Sequence, residues 1–197
     1  MTSSLERIGI YGGTFDPVHN AHLAMARAAR DQAGLDRVLF VVSAHPPHKG
    51  TGPVASAEDR YAMVCAALDG ESRFEASRME LDRQGPSYTA DTLDIVTQNN
   101  PRALLFLIVG MDSLDELPRW RRPDNILARA HLLAIPRPGE WRIPDALKDR
   151  YTILEFDQTA LSSTEIRACL ASGLPVDDFV PAGVLDIIHD RRIYAAC

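Results

Sequence analysis

The chain has 197 residues, of which 46% are hydrophobic and 24% are charged, and its formal net charge at pH 7 is −6. This length predicts a single domain over residues 1–197, because domains commonly hold about 100 to 200 residues. The acidic balance argues against a nucleic-acid partner, since binding a phosphate backbone calls for a basic face. We find no secretory signal and no apolar run that could cross a bilayer, so we expect a cytoplasmic protein without a membrane partner.

The first half of the chain alternates short apolar runs with helix-forming stretches. The predicted elements, in chain order, are a strand at 7–11, a helix at 20–33, a strand at 37–42, a helix at 56–68, extended structure at 73–81 and a helix at 89–98. Between the second strand and the second helix, residues 45–50 read HPPHKG. The two prolines predict a loop there, because proline lacks an N–H donor and restricts the residue before it.

The second half continues the same alternation. Its clearest strand is 104–109, six apolar residues in a row; further strands are expected at 131–135 and 152–156, and helices at 163–171 and 182–190. Strands that are apolar throughout and alternate with helices predict an α/β fold with a doubly wound, open parallel sheet. Ligands of such sheets bind beyond the carboxyl ends of the strands, so we expect a site in the loops after Tyr11, Val42 and Val109.

The densest cluster of chemistry lies between the first strand and the first helix, where residues 12–22 read GGTFDPVHNAH. Such a junction favours a phosphate, because backbone N–H groups and the positive end of the helix dipole point at the ligand. Gly12 and Gly13 let the backbone approach a ligand closely. His19 and His22 share one face of the predicted helix, so they could donate hydrogen bonds to phosphate oxygens during nucleotidyl transfer.

Two other readings of these histidines stay open from the residues alone. Both could be surface or capping residues, as is common for two histidines this close. They could also join His45 and His48, which have the same spacing, in a four-imidazole zinc site. Proline flanks the second pair and makes it a poor preformed ligand set, so we expect no protein-bound metal.

Two further segments carry charge suited to phosphates, each with a simpler reading beside it. Lys49 brings a positive charge to the proline-flanked loop, although it could be an ordinary solvated lysine. Residues 162–167 read SSTEIR and place hydroxyls and an arginine at a helix start. A capping box explains Ser162 with Glu165, but it does not explain Arg167.

The remaining candidates lie near the third and fourth strands. Tyr88 and Thr89 open a predicted helix, and Tyr88 could equally be a packing residue. Asp112 follows the 104–109 strand, where it could accept from ribose hydroxyls or cap a helix. Trp120 could stack on a planar ring, although from the residues alone a core position is favoured.

The sequence resembles the nucleotidylyltransferase superfamily, and most closely its nicotinate mononucleotide adenylyltransferase branch. The segments that carry the likeness are, in chain order, GGTFDPVH, PPHK, PSYTADTL, GMDSLDELPRW, LSSTEIR and VPAGVLDIIHDRRIY. They cover essentially the whole chain. The family has glycine where this chain has Ala21, and we expect the extra methyl group to narrow the space where the family's ATP lies.

The resemblance implies roles for individual residues. The implied ATP-binding residues are Gly12, Gly13, Thr14, Phe15, His19, His22, Gly110, Asp112, Ser163, Thr164 and Arg167. The implied mononucleotide-binding residues are His48, Lys49, Tyr88, Thr89, Asp112, Trp120 and Arg121. The implied catalytic residues are His19, His22, Lys49 and Arg167.

The resemblance also implies a reaction, in which ATP and nicotinate mononucleotide give nicotinate adenine dinucleotide and pyrophosphate in NAD biosynthesis. We expect direct in-line transfer, because no motif supplies a nucleophile activated by a base. Mg²⁺ is expected to bridge the ATP phosphates and not to sit in a protein cage. Pantetheine phosphate adenylyltransferase, which shares the opening motif, and a non-catalytic nucleotide-binding module remain as alternatives. The sequence does not distinguish a monomer from a homo-oligomer, or a pyridine acid from its amide.

Overall fold

A computed structural model describes residues 5–44, 52–136, 141–156 and 161–195. Its strands are β1 (Arg7–Gly13), β2 (Arg37–Val42), β3 (Phe74–Ser77), β4 (Leu104–Gly110), β5 (Ala130–Ile135) and β6 (Tyr151–Ile153). Its α-helices are α1 (Asn20–Ala33), α2 (Ala57–Ala67), α3 (Thr89–Asn99), α4 (Met111–Glu116), α5 (Pro123–Arg129), α6 (Ser163–Ala171) and α7 (Ala182–Asp190). None of the helices in these ranges is long and apolar enough to cross a bilayer.

The six strands form one parallel sheet in the order β3-β2-β1-β4-β5-β6. The strand order reverses at β1, where Ile10 pairs with Leu39 of β2 on one side and with Leu107 of β4 on the other. The predicted doubly wound parallel sheet is therefore confirmed. The crevice between β1 and β4 is the topological switch point, where ligands of such sheets bind.

Helices cover the sheet on both faces, which explains why its central strands β2 and β4 are almost wholly apolar and buried. Along β2, Val38 and Phe40 belong to a core cluster shared with α1, α2 and α7. Leu39 and Val41 belong to a second cluster on the opposite face, shared with α3, α4 and α5. Successive strand residues point to opposite faces, so in a strand that is buried on both faces every position favours an apolar side chain.

Two predicted strands are shorter in the structure, and two helices were not predicted. β3 ends at Ser77, because the chain then turns and the Asp82 N–H donates to the carbonyl of Arg78 at 3.0 Å. β6 covers Tyr151–Ile153 and stops short of residue 156. The short helices α4 and α5 give too few turns for a recognisable helical repeat.

Candidate active site

A cavity of about 800 Å³ opens at the carboxyl ends of β1 and β4, where the switch-point rule places it. It also receives the N-termini of α1, α3 and α6. This volume lies within the range of about 300–1,000 Å³ that is usual for small-molecule sites. The cavity brings together most of the residues that the sequence singled out, and they fall on two sides of it.

The two histidines of the opening motif lie together at the start of α1. His19 is buried, His22 is half-buried, and their ring centroids are 3.8 Å apart. The His19 backbone N–H donates to Nδ1 of His22 at 3.2 Å. Because Nδ1 accepts this bond, the neutral His22 ring carries its proton on Nε2, a tautomer assigned from the hydrogen-bond pattern. His19 is the N-cap of α1, so this bond belongs to the start of the helix and sets the orientation of the His22 ring.

The residues before the histidines shape the wall of the cavity. Gly12, Gly13, Thr14 and Phe15 all line it. A Cβ on Gly13 would lie 2.8 Å from the ring of Phe15, so a larger residue there would displace that ring. Phe15 is itself only 2% exposed, and its ring packs edge-on against His22 with centroids 5.2 Å apart. The side chain of Phe15 therefore supports His22 from the core side.

The start of α6 docks against this loop, as the SSTEIR segment suggested. Ser162 and Glu165 form the predicted capping box: the Ser162 N–H donates to Glu165 Oε2 at 2.8 Å, and the Glu165 N–H donates to Ser162 Oγ at 3.3 Å. Arg167 Nη1 donates to the carbonyl of Asp16 at 2.7 Å, and Nη2 donates to Thr164 Oγ1 at 3.3 Å. The arginine is thus held against the loop that precedes the two histidines.

Ser163, Thr164 and Arg167 line the cavity next to the opening motif. Ser163 Oγ also donates to the carbonyl of Pro17 at 3.0 Å. Helix N-terminal amides, hydroxyls and a guanidinium thus converge from α6 on the side where the histidines lie. Such a set of donors suits an anion with several oxygens, such as a polyphosphate.

The other side of the cavity is built from α3 and the segment after β4. The predicted site residues that line this side are Tyr88, Thr89, Gly110, Asp112, Trp120 and Arg121. Tyr88 is the N-cap of α3, and the Arg121 guanidinium lies 4.6 Å from the centre of its ring. Trp120 is half-buried and packs against the second core cluster while it faces the cavity, so both readings of it hold in part. Asp112 is not a helix cap, because Gly110 is the N-cap of α4.

His48 and Lys49 lie outside the described residues, and so does His45. Their predicted roles, and the four-histidine zinc reading, therefore stay as predictions. The described residues that flank this segment, Ser43 before it and Gly52 after it, both line the cavity.

Ala21 differs from what its sequence position suggested. It is 5% exposed and belongs to the core cluster on the α1 face of the sheet. It is not among the residues that line the cavity in the described part of the chain. The buried position of the methyl group argues against the expectation that it narrows the nucleotide site, and its effect on ATP stays a prediction.

Glu80 is a cavity residue that the sequence reading missed. It is 6% exposed, and its Oε1 accepts from Thr92 Oγ1 at 2.5 Å. Its Oε2 is buried and accepts no hydrogen bond from the described residues. In the sequence, Glu80 is a glutamate near the end of the predicted extended segment 73–81. A strand prediction does not distinguish such a buried glutamate from an exposed one.

Ion pairs on α3 hold the Trp120 segment in place, and these were also missed. Asp91 accepts from Arg83 at 2.7 Å and from Arg122 at 2.5 Å. Asp94 accepts from Arg122 at 3.0 Å and from Arg129 at 2.5 Å. Burial acts to raise the pKa of Asp91, but the bonds from Arg83 and Arg122 outweigh it and lower that pKa. Arg122 thus binds α3, and its neighbour Arg121 is the arginine of this segment that lines the cavity.

Comparison with known proteins gives a consistent result. A family model described as cytidylyltransferase-like matches residues 10–169. The chain is 40% identical to a probable nicotinate-nucleotide adenylyltransferase of Saccharopolyspora erythraea, over 98% of this chain and 91% of that protein. A protein of the same name from Gloeobacter violaceus is also 40% identical, over 96% of each chain.

Solved structures agree at the level of the fold. Nicotinic acid mononucleotide adenylyltransferase of Plasmodium falciparum, complexed with NaAD, superposes with a TM-score of 0.76. The two chains are 18% identical, and the match covers 96% of this chain and 97% of that one. The same enzyme complexed with APC gives the same score. With the close sequence relatives, these findings show that the chain belongs to the nicotinate-nucleotide adenylyltransferase family.

Proposed function

We propose that this chain transfers the adenylyl group of ATP to nicotinate mononucleotide, giving nicotinate adenine dinucleotide and pyrophosphate in NAD biosynthesis. One observation carries the proposal: a single cavity has hydrogen-bond donors suited to phosphate oxygens on one side and an aromatic wall suited to binding a ring on the other. The donors are His22 and the start of α6 with Arg167. The opposite wall contains Tyr88, Thr89 and Trp120. A cytoplasmic location would suit these substrates.

The chemistry is an in-line displacement at phosphorus. An oxygen of the mononucleotide phosphate forms a bond to the α-phosphorus of ATP, the bond to the bridging oxygen breaks, and pyrophosphate leaves. The chain needs to hold two anions in line and to offset the negative charge that develops. His22 Nε2–H donates to the α-phosphate, while Arg167 and the α6 amides bind the leaving pyrophosphate. Lys49 would add a further positive charge.

Mg²⁺ is proposed to arrive on the ATP phosphates, where it would offset their charge. The carboxylate of Asp16, which borders the donors, already accepts from the backbone N–H groups of Val54 and Ala55 and from the Tyr194 hydroxyl. It has little capacity left for a cation. This fits an ion held mainly by substrate oxygens and water, as Mg²⁺ usually is at nucleotide sites.

The acceptor wall supports a pyridine acid. α3 begins at Thr89, so its N-terminal amides carry the positive end of the helix dipole. The exposed guanidinium of Arg121 lies above the ring of Tyr88 and adds positive charge. A carboxylate on the pyridine ring would be stabilised here, whereas a neutral amide would gain less.

Pyrophosphate release from Mg²⁺-ATP tests the proposal, with nicotinate mononucleotide, nicotinamide mononucleotide and phosphopantetheine offered separately. We expect nicotinate mononucleotide to give the highest kcat/KM. His22→Ala should lower kcat about 100- to 1,000-fold, because it removes a donor to the transition state. A preference for phosphopantetheine would overturn the substrate assignment. ATP binding without pyrophosphate release would indicate a non-catalytic module, and an unchanged kcat in His22→Ala would remove that histidine from the mechanism.

A further inference from the structure

The segment after α7 contacts the cavity wall indirectly, because the hydroxyl group of Tyr194 donates to the carboxylate of Asp16, which lines the cavity. We propose that Tyr194 is a positioning residue for ATP: through the buried carboxylate of Asp16, it leaves Arg167 available to the nucleotide phosphates. The inference rests on the proposed function only in taking ATP as the ligand beside Arg167. It assigns to Tyr194, a residue that does not line the cavity, a part in ATP affinity.

Asp16 is the centre of the arrangement. It is 5% exposed, and both oxygens of its carboxylate accept hydrogen bonds. Oδ2 accepts from the Val54 N–H at 2.8 Å. Oδ1 accepts from the Ala55 N–H at 3.1 Å and from the Tyr194 hydroxyl at 2.6 Å. The tyrosine bond is the shortest of the three and the only one from a side chain, so it is the one that a substitution can remove.

Arg167 stands close to the same carboxylate without a full ion pair. Its Nη1 donates to the backbone carbonyl of Asp16 at 2.7 Å but lies 3.8 Å from Asp16 Oδ2. The arginine side chain is 26% exposed, so part of it faces the cavity. Because the donors on Asp16 satisfy most of its capacity to accept, Arg167 keeps its charge available for a second anion.

The surroundings hold this geometry. Arg60 is 1% exposed, and its Nη1 donates to the carbonyls of Thr14 at 2.8 Å and Ser43 at 2.7 Å. These bonds fix Arg60 on the backbone of the opening loop.

Burial, and then the bond to Asp16, raises the pKa of Tyr194, so its hydroxyl stays a proton donor at neutral pH.

Removing the hydroxyl should redirect Arg167. In Tyr194→Phe the buried Asp16 Oδ1 loses its closest donor, and an under-satisfied buried carboxylate is costly. The Arg167 guanidinium is the cation already closest to this carboxylate among the ion pairs of the described residues, with Nη1 3.8 Å from Oδ2, and it would move into a direct bond with the carboxylate. ATP would then have to compete with Asp16 for the guanidinium, so the affinity for ATP would fall.

The experiment measures Kd for Mg²⁺-ATP by titration calorimetry on the full chain, without an acceptor substrate. We expect Tyr194→Phe to weaken ATP binding about tenfold, as for a lost hydrogen bond to a charged group. Tyr151→Phe is the matched control, because Tyr151 lies on β6 and does not line the cavity; it should leave Kd within about twofold. An unchanged Kd in Tyr194→Phe would overturn the proposal.

Two further arms separate positioning from general loosening. In an Arg167→Ala background, Tyr194→Phe should cause no further loss of ATP affinity, because the arginine through which it acts is gone. An equal loss in both backgrounds would overturn the proposal. Kd for nicotinate mononucleotide should stay within about twofold in Tyr194→Phe, whereas a parallel loss would indicate a structural effect only. Each Kd is independent of turnover, so wild-type pyrophosphate release tests the proposed function separately.

Discussion

Ala21 shows that a residue can belong to a site motif in the sequence while its side chain packs in the core of the structure. The resembled family has glycine at this position, between the two histidines. In the structure its methyl group is buried in the core cluster on the α1 face, while His19 and His22 line the cavity. On a helix, neighbouring residues project about 100° apart, so Ala21 can pack in the core while His22 lines the cavity.

Ala21→Gly should therefore affect stability more than nucleotide affinity. We expect the free energy of unfolding to fall by about 1 kcal/mol, because glycine loses more backbone entropy in a helix and buries less apolar surface. KM for ATP should change by less than about twofold. Denaturant unfolding and steady-state kinetics measure the two effects. A large drop in KM for ATP, with stability unchanged, would instead place the methyl group at the nucleotide.

The residues of the site could be predicted where a motif places several chemical groups on one loop. His19, His22 and Arg167 fall into this class, and the structure brings them to one cavity. The bond between Tyr194 and Asp16 could not be predicted in this way, because it joins residues from opposite ends of the chain. Glu80 was missed for a local reason: its contact with Thr92 depends on the turn after β3, and that segment was predicted to be extended.

At the scale of elements, α3 links the two segments that form the aromatic wall of the cavity. Its first turn carries Thr89, and Tyr88 precedes it. Asp91 and Asp94 bind Arg122, which directly follows Trp120 and Arg121. The helix itself was predicted from its sequence. Its ion pairs were not, because their partners lie in segments whose position depends on the strand order.

Asp94→Asn should weaken this link in a pH-dependent manner. Hydrogen bonds from Arg129, and then Arg122, hold the pKa of Asp94 below its usual range. A carboxyl group whose folded pKa is lowered stabilises the fold above its unfolded pKa of about 3.9, and that stability disappears as the pH falls through the folded pKa. We expect the variant to lose about 1 kcal/mol of unfolding free energy at pH 7, and the difference from wild type to shrink below about pH 4.

Denaturant unfolding at pH 7, 4 and 3 measures this difference. Glu116→Gln is a suitable control, because Glu116 is exposed and forms no ion pair in the described ranges. A difference between Asp94→Asn and wild type that persists unchanged at pH 3 would show that packing, and not charge, carries the effect of Asp94.

At the scale of the whole molecule, the cavity draws on β1 and β4 and on three helix N-termini. The α/β class could be predicted from the apolar strands, and the carboxyl-end rule predicted where the site lies. The strand order could not, because periodicity within a strand carries no information about its neighbours. The adjacency of β1 and β4, on which the cavity depends, is a property of the fold alone.

A ligand that binds between these elements should stabilise the whole fold. Mg²⁺-ATP at 100 times its Kd should add about 2.7 kcal/mol to the free energy of unfolding. For a chain of this size, that corresponds to a rise in Tm of roughly 5 to 10 °C. Thermal unfolding with and without ligand measures the rise. At the same ATP concentration Arg167→Ala should show a smaller rise, whereas an equal rise would place ATP away from α6.

The central position of β1 also has a consequence for the order in which the chain folds. Between Ile10 and its partner Leu39 the chain forms one helix, α1. Between Ile10 and its other partner, Leu107, it forms α1, β2, α2, β3 and α3. Closing the longer loop costs more entropy, and contacts between distant residues form more slowly. During refolding, helical signal should therefore recover before the capacity to bind nucleotide. Recovery of nucleotide binding would therefore mark the late pairing of β1 with β4.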